Sequence, residues 1–364
     1  MYGFEPTEEQ RMLVEAVQRF AQKELRPAAH DADEAGELPQ ALIEKGWELG
    51  LLQASVPERY GGFGERSAVT GALAAEELGW GDLSAALAVL APAAYALPVL
   101  TAGTEAQKQQ LLPQVVEGQW KPYVAAFVEP DFDFYPGEMR ATAVAHNGGF
   151  ALDGVKAMVP YAAQAHTFLV FAAQEGRTQA FLVPGGTPGL TVSGREKLLG
   201  IQAVPTHRLT LKDVRLPAEA RLGGERGMDF EKVLAASQVA VAALAVGLSR
   251  GAFEYARDYA KDRVAFGGPI AQKQSVAFML AEMAIEIEAI RLLVWEAAWM
   301  LDVGKDGAAK AAYLALTGAA DMAMMVTDRA VQILGGHGYI REHPVERWMR
   351  NARGVASYVG LAMV

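Results

Sequence analysis

The sequence predicts an α+β protein in three consecutive parts. These are an N-terminal α-helical domain over residues 1–120, a middle β-domain over 121–226 and a C-terminal helical bundle over 227–364. Three changes of texture predict it. Residues 6–120 place apolar side chains at helical spacing. Residues 121–222 break into short alternating runs with turn signals, and residues 227–357 return to helical spacing in much longer runs.

The first part opens on Thr7, read as an N-cap. Glu8 and Glu9 follow as acidic first-turn residues that suit the helix dipole. Helix-period runs follow at Met12–Arg26, Pro39–Gly50 and Ala68–Glu77, and Val56–Gly64 (VPERYGGFG) reads as a glycine-rich loop between helices. Ala85–Leu100 is apolar, short and interrupted by Pro92 and Pro98, so a buried core helix is expected. The middle part reads as roughly seven short strands, with Asn147-Gly148 and Asp153-Gly154 as turn dipeptides. In the last part Met228–Lys261, Gln272–Val303 and Lys305–Leu334 each carry a broad apolar stripe. They are expected to pack antiparallel in a bundle.

Composition excludes several classes of function. The chain has 364 residues, a formal net charge of −10 and 51% hydrophobic residues, enough for two or three packed units with a large core. Its lysines and arginines are dispersed, which argues against a nucleic-acid partner. A small anionic ligand stays open, because a few placed basic groups or helix N-termini hold one. With no cysteine there are no disulfides, thiolate metal sites or cysteine nucleophiles. No histidine or carboxylate spacing matches a metal motif. The segment MYGFEPTEEQ lacks the basic and apolar regions of a signal peptide, and no run reaches the ~20 uninterrupted apolar residues of a membrane span. A cytoplasmic protein without a membrane span is expected.

Arg329–Arg350, RAVQILGGHGYIREHPVERWMR, resembles the C-terminal flavin-site signature of the acyl-CoA dehydrogenase family. Further matches run along nearly the whole chain. They include ALIEKGWELGLL with VPERYGGFG, GTEAQKQQLLPQVVEGQW, and Arg263-Val264-Ala265-Phe266-Gly267 with Pro269 and Gln274 at family spacing. The resemblance implies the family's fold: a helical domain, a middle β-barrel or sandwich and a four-helix bundle. It implies FAD as cofactor and an acyl-CoA thioester as substrate. It also implies an electron-transfer flavoprotein as acceptor, and assembly as a homo-tetramer or with a homologous partner subunit (α₂β₂). It assigns Arg263, Phe266, Gln274, Gln332, Gly335 and Gly336 to the grip that reaches across a subunit interface onto a neighbour's flavin. The chemistry of these residues agrees: Arg263 is a planar fork suited to phosphate, and the paired glycines let backbone amides approach closely. Taken alone, Gly335-Gly336 would read as a helix C-cap.

The departures fall on what a subunit provides for its own flavin and substrate. Where the family carries Tyr-Glu-Gly, whose Glu is the usual base, this chain has Tyr358-Val359-Gly360. Where some members carry a Glu-Arg pair on the first bundle helix, it has Ser237 and Gln238. Both base positions are therefore empty, and no catalytic residue is assigned. The family's Thr-Glu-Pro-Gly-x-Gly-Ser-Asp becomes Val128-Glu129-Pro130-Asp131-Phe132-Asp133-Phe134. Its Lys-x-Trp-Ile-Thr becomes Lys156-Ala157-Met158-Val159-Pro160, and its Gly-x-Arg-x-Ser-x-Thr becomes the run from Gly200 to Thr206. Among substitutes, Glu231 is expected to face away from Ser237 into solvent, and the phenol of Tyr358 is a poor base near neutrality. Surface or structural roles are expected for His30, His146, His166, His207, His337 and His343.

The sequence thus favours a base-less subunit that completes a partner's FAD site. Against it stand an active homomer with a displaced base, another flavin chemistry on the same fold, and a flavin-free interaction protein.

Overall fold

The computed structural model describes residues 5–364; Met1–Phe4, part of the segment read for a leader, lie outside the described residues. Helix α1 (Glu8–Phe20) starts at Thr7 with a capping box. The Thr7 hydroxyl accepts from Gln10, and the Gln10 side chain accepts from the Thr7 amide. The run expected to end near Arg26 continues further. A π-helical turn at Ala21–Leu25 leads into α2 (Arg26–Ala35), and Gly36 ends the rod in the left-handed region at φ 71°.

Helices α3 (Gln40–Trp47) and α4 (Leu51–Ala54) precede two core helices, α5 (Ala68–Gly81) and α6 (Leu83–Ala102). Asp82 closes α5 and caps α6 by accepting from the Ala85 amide at 2.9 Å. Helix α6 tolerates Pro92 and Pro98 because it is enclosed: it has the length and hydropathy of a membrane span, yet 94% of that stretch is buried inside the protein. The longer α8 (Phe230–Asp262) meets the same two criteria and is 89% buried. By length and composition alone both helices could cross a membrane, but both serve as core, as expected for Ala85–Leu100. Helix α7 (Glu105–Val116) leads to the sheet.

The middle part is one seven-stranded sheet: β1 (Tyr123–Ala126), β2 (Thr142–His146), β3 (Gly149–Pro160), β4 (Thr167–Gln174), β5 (Arg177–Pro184), β6 (Leu190–Arg195) and β7 (Thr206–Pro217). The order is β1-β4-β2-β3-β7-β6 with β5 on β4, and β1 runs parallel to β4. Asn147 and Gly148, at φ 47° and 79°, form the expected two-residue hairpin turn. Asp153-Gly154 is no turn. It lies inside β3 at a register shift, and a Cβ on Gly154 would sit 2.6 Å from Ala141.

The last part packs α8, α9 (Gln274–Asp302) and α10 (Ala308–Leu334) against one another, with α5 lying on α8 and α9. A two-strand ribbon, β8 (Val264–Ala265) and β9 (Gly268–Pro269), joins α8 to α9. The short α11 (Val345–Ala352) leads into the buried final segment. Arg350 and Arg347, prominent in the C-terminal run, tie elements together. Arg350 pairs with Asp33 at 2.6 Å and with Glu346, and Arg347 lies 3.9 Å from buried Asp82.

Candidate functional site

A cavity of about 1300 Å³ opens where the sheet, the start of α8, the first half of α10 and the final segment meet. Its volume exceeds the ~300–1,000 Å³ usual for a single small-molecule site. The loop from Val128 to Gly137 and the strand β3 residues Ala157 and Met158 form one wall, and Leu234, Leu316 and Val359 contribute apolar surface opposite. Phe132 and Tyr135 stand exposed at the mouth.

The two positions that the resemblance marks for a base are neighbours in space. Ser237 on α8 is fully buried; its hydroxyl accepts from the Gly360 amide at 2.7 Å and donates to the Ala362 carbonyl at 2.8 Å. Its hydrogen-bonding capacity goes to the backbone of the final segment. Val359 lines the cavity and carries no ionisable group. Tyr358 points elsewhere: its phenol donates to the Asn351 carbonyl at 3.1 Å, and burial pushes its pKa above the ordinary value. It is thus further from acting as a base than a free tyrosine.

Glu231 is exposed and on a different side of α8 from Ser237, as expected, and it also lines the same cavity as Gln238. The reason is helical phase: seven residues make almost two full turns, so Glu231, Leu234 and Gln238 share one face of α8 while Ser237 points 100° away. Neither Glu231 nor Asp321, another lining carboxylate, has a hydrogen bond or ion pair among the described residues.

The wall that the family uses for its own flavin is organised here around a buried ion pair. The Lys156 ammonium meets a Glu129 carboxylate oxygen at 2.8 Å, with side-chain exposures of 0% and 1%. Glu129 also accepts from the amides of Arg140 and Ala141, and Lys156 reaches the Phe127 carbonyl at 3.2 Å. Burial lowers the Lys156 pKa to about 8 against the upward pull of Glu129. The pair pins the Val128–Pro130 loop to β3, and the Ala157 amide donating to the Val128 carbonyl at 2.8 Å adds a second tie. Asp131 and Asp133 both pair with Arg140. Met158 sits in the left-handed region at φ 54°, and its amide donates to Glu196 at 2.8 Å. Pro160 has no amide proton. This wall therefore presents few free donors, and Phe134 packs edge-on against Phe127 where the family has a glycine turn.

The six residues assigned to the flavin grip do not line the cavity. Arg263, Phe266 (92% exposed), Gln274, Gln332, Gly335 and Gly336 are exposed and gather where the end of α8, the β8–β9 ribbon and the end of α10 meet. Gly335 adopts φ 58° and ψ −128°, open to glycine and strained for any other residue, and a Cβ at Gly335 or Gly336 would meet nothing within 4 Å. So the paired glycines end α10, and they also leave their backbone accessible. The Tyr259 hydroxyl lies 2.6 Å from His337 Nδ1 and the Tyr255 hydroxyl 2.7 Å from His343 Nδ1, with the two imidazoles stacked at 5.4 Å. These contacts brace the turn against α8. Sequence reading expected a surface or structural role for both histidines and gave no sign of their tyrosine partners. Along α8 the helical rise separates Gln238 from Arg263 by about 38 Å. The cavity and the grip stand at opposite ends of one rod.

A second cleft, about 560 Å³, was not foreseen. It lies beside Glu76 and Glu77, which Arg250 and Arg291 already neutralise at 2.6–3.0 Å. It reads as a structural network.

This order of parts, with a cavity between sheet and bundle, is that of the acyl-CoA dehydrogenase family, and the chain belongs to it. Family profiles match in sequence: the acyl-CoA dehydrogenase N-terminal domain over residues 7–119, the middle domain over 126–214 and the C-terminal domain over 226–362. Among individual proteins, the chain is 36% identical over 363 residues to the probable acyl-CoA dehydrogenase YngJ of Bacillus subtilis (strain 168), covering 96% of this chain and 94% of that one. It superposes on butyryl-CoA dehydrogenase from Megasphaera elsdenii with a TM-score of 0.88 at 33% identity, covering 100% and 96% of the two chains. It superposes equally well, at 0.88 and 27% identity, on the FAD complex of PigA, covering 98% and 95%.

Proposed function

We propose that this chain works as a base-less subunit of a flavin-dependent acyl-CoA dehydrogenase, completing the FAD site of a partner chain that carries the base. The observation that carries the reading is the state of the two base positions. Val359 has no ionisable group, and the Ser237 hydroxyl is bonded to the backbone at Gly360 and Ala362. General-base catalysis is worth about 10²–10⁴-fold, so its loss would disable α-proton removal.

The residues fit FAD unevenly. The cavity wall built from Val128, Phe132, Phe134 and Met158 offers few donors, because the Met158 amide is taken by Glu196. The grip fits better: an exposed guanidinium, two carboxamides and two open glycine peptides suit the phosphates and adenine of a cofactor held mainly elsewhere. When bound in the assembly, FAD would accept hydride from the β-carbon of an acyl-CoA thioester, and an electron-transfer flavoprotein would take the electrons onward. This chain's part is to hold the cofactor from outside and to brace the holding turn through Tyr259–His337.

A second reading, a homomeric enzyme with a displaced base, is favoured by one observation: the unpaired carboxylate of Glu231 lines the cavity. The visible spectrum and flavin content of the purified chain, alone and co-expressed with a homologous acyl-CoA dehydrogenase, separate the two. A colourless chain that becomes part of a yellow, active complex supports the first. A yellow chain reduced by an acyl-CoA on its own overturns it.

A further inference from the structure

Helix α8 and the glycine turn after α10 are joined by four rings. Tyr255 and Tyr259 stand one helical turn apart on α8, so both phenols reach the same side. The Tyr259 hydroxyl meets His337 Nδ1 at 2.6 Å, and the Tyr255 hydroxyl meets His343 Nδ1 at 2.7 Å. The two imidazoles stack at 5.4 Å with planes 30° apart, and Tyr255 stands edge-on to Trp348 of α11 at 5.8 Å. Neither phenol has another hydrogen-bond partner among the described residues, so each donates its one proton to an Nδ1 that carries none. Burial raises the Tyr255 pKa above its ordinary value, which keeps that proton in place. The bracket is therefore complete only while both imidazoles are neutral.

Protonation breaks this arrangement in two ways. A proton on Nδ1 sets a donor against a donor, so the phenol must turn away and lose its acceptor. A second proton places two like charges face to face at 5.4 Å. No carboxylate bonds to either ring among the described residues. On α8, Asp258 pairs with Arg257 and Lys261, while Asp262 and Arg263 are exposed at the helix end. On α10, Arg329 pairs with Glu282 and Asp328 is exposed. Beside the turn, Arg341 pairs with Glu34 of α2, where His30 is exposed, and Glu342 is exposed too. On α11, Glu346 pairs with Arg350. Both imidazoles are half-buried, so solvent protons reach them.

We propose that Tyr255, Tyr259, His337 and His343 form an acid-operated latch on the Gly335–Tyr339 turn, closed on α8 while the imidazoles are neutral and released when they are protonated. Histidine is the side chain that changes charge near neutrality, so mild acid is enough to work the latch. The sign follows from proton linkage. The open turn binds more protons than the closed one, so opening grows as pH falls. On the reading proposed above, the same turn holds the cofactor, and acid would loosen that hold. The latch itself does not depend on that reading.

The test is hydrogen exchange of the full chain at pH 7.5 and 5.5, corrected for the intrinsic pH dependence of amide exchange and followed on peptides spanning residues 331–343. Each proton taken up on opening multiplies the open population by up to about tenfold per pH unit, so exchange of the wild-type turn should rise by about tenfold or more. The double variant His337→Gln/His343→Gln keeps an acceptor for each phenol and gains no charge in acid, so its turn should exchange alike at both pH values. Tyr255→Phe/Tyr259→Phe removes the bracket and should leave the turn fast at both. The wild-type comparison stands even if a variant fails to fold. A wild-type turn equally protected at both pH values sinks the proposal. So does a pH response that survives in the glutamine variant, or an acid rise shared equally by α5 and α6, which would be loss of the whole fold. Flavin content of the complex over the same pH range tests the other reading separately. Acid-opened turns with undiminished flavin would support the latch and remove the turn from the cofactor.

Discussion

The Ser237 hydroxyl accepts the Gly360 amide at 2.7 Å, joining the first bundle helix to the segment after α11. Each of these two strands of chain carries one of the places where the family keeps a base. Here Ser237 is bonded to the residue that follows Val359, and neither position carries a carboxylate. The consequence is structural as well as catalytic. Ser237→Ala leaves the Gly360 amide unpaired in a buried setting, which costs about 1–3 kcal/mol. Hydrogen exchange should report the loss as faster exchange at Gly360 and its neighbours. Unchanged protection there would mean the bond contributes nothing.

Val359→Glu puts a carboxylate on the cavity wall. Exchange of the α-protons of an acyl-CoA with solvent deuterium, followed by NMR with the purified chain free of any base-carrying partner, should rise by about 10²–10⁴-fold over wild type. A rate no higher than wild type would show that Val359 does not face the α-carbon.

The grip can be weakened without touching the core. Arg263→Ala removes an exposed guanidinium, so the melting temperature of the chain should stay within about 0.5 kcal/mol of wild-type stability. Bound flavin per complex should drop at low salt, and the gap from wild type should narrow at high salt, because the lost contact is ionic. Gly335→Ala adds backbone strain of about 1–3 kcal/mol at φ 58°. Retention of full flavin occupancy in both variants would remove the grip from the cofactor site.

Stability should rise with pH in one specific window. The Lys156 pKa is lowered by burial to about 8 against an ordinary 10.5. Between these values the unfolded chain holds a proton that the folded chain has released, so raising the pH favours folding. Urea unfolding at pH 7.5 and 9.5 should show a gain of about 1–2 kcal/mol. Above about pH 10 buried tyrosines such as Tyr95 and Tyr161, whose pKa values are raised by burial, act in the opposite sense. A Glu129→Leu/Lys156→Met double variant should flatten the rise; a rise that survives in that variant would place its origin elsewhere.

Removing one partner of the pair is a different experiment. Lys156→Met leaves the Glu129 carboxylate buried with only the Arg140 and Ala141 amides for company, and should destabilise by about 3–5 kcal/mol. A variant as stable as wild type would mean that water or a rearranged Arg140 replaces the ammonium.

Most of the fold was legible because its signals are local. Thr7 with Glu8 and Glu9 announces a helix start, Asn147-Gly148 announces a hairpin, and three long apolar stripes announce α8, α9 and α10. What escaped was decided by tertiary context. Asp153-Gly154 has the composition of a turn, but the approach of Ala141 places it in a bulge. Glu231 was read as turned away from Ser237 and solvated, which holds, but that its face of α8 lines a cavity depends on how the sheet and the final segment pack against it. The tyrosine partners of His337 and His343, and the cluster of Glu76 and Glu77 with Arg250 and Arg291, join residues 78 to 215 positions apart, a range that periodicity does not reach.

Helix α8 also behaves as a spacer. It holds the Gln238 wall at one end and Arg263 at the other, about 38 Å apart by helical rise, so on the proposed reading the two ends serve different cofactors. Each complete site would then belong to two chains, and a defect would follow the site and not the polypeptide. Two inactive assemblies, one damaged only at the grip and the other only at the cavity, would recover a share of working sites when their subunits are exchanged.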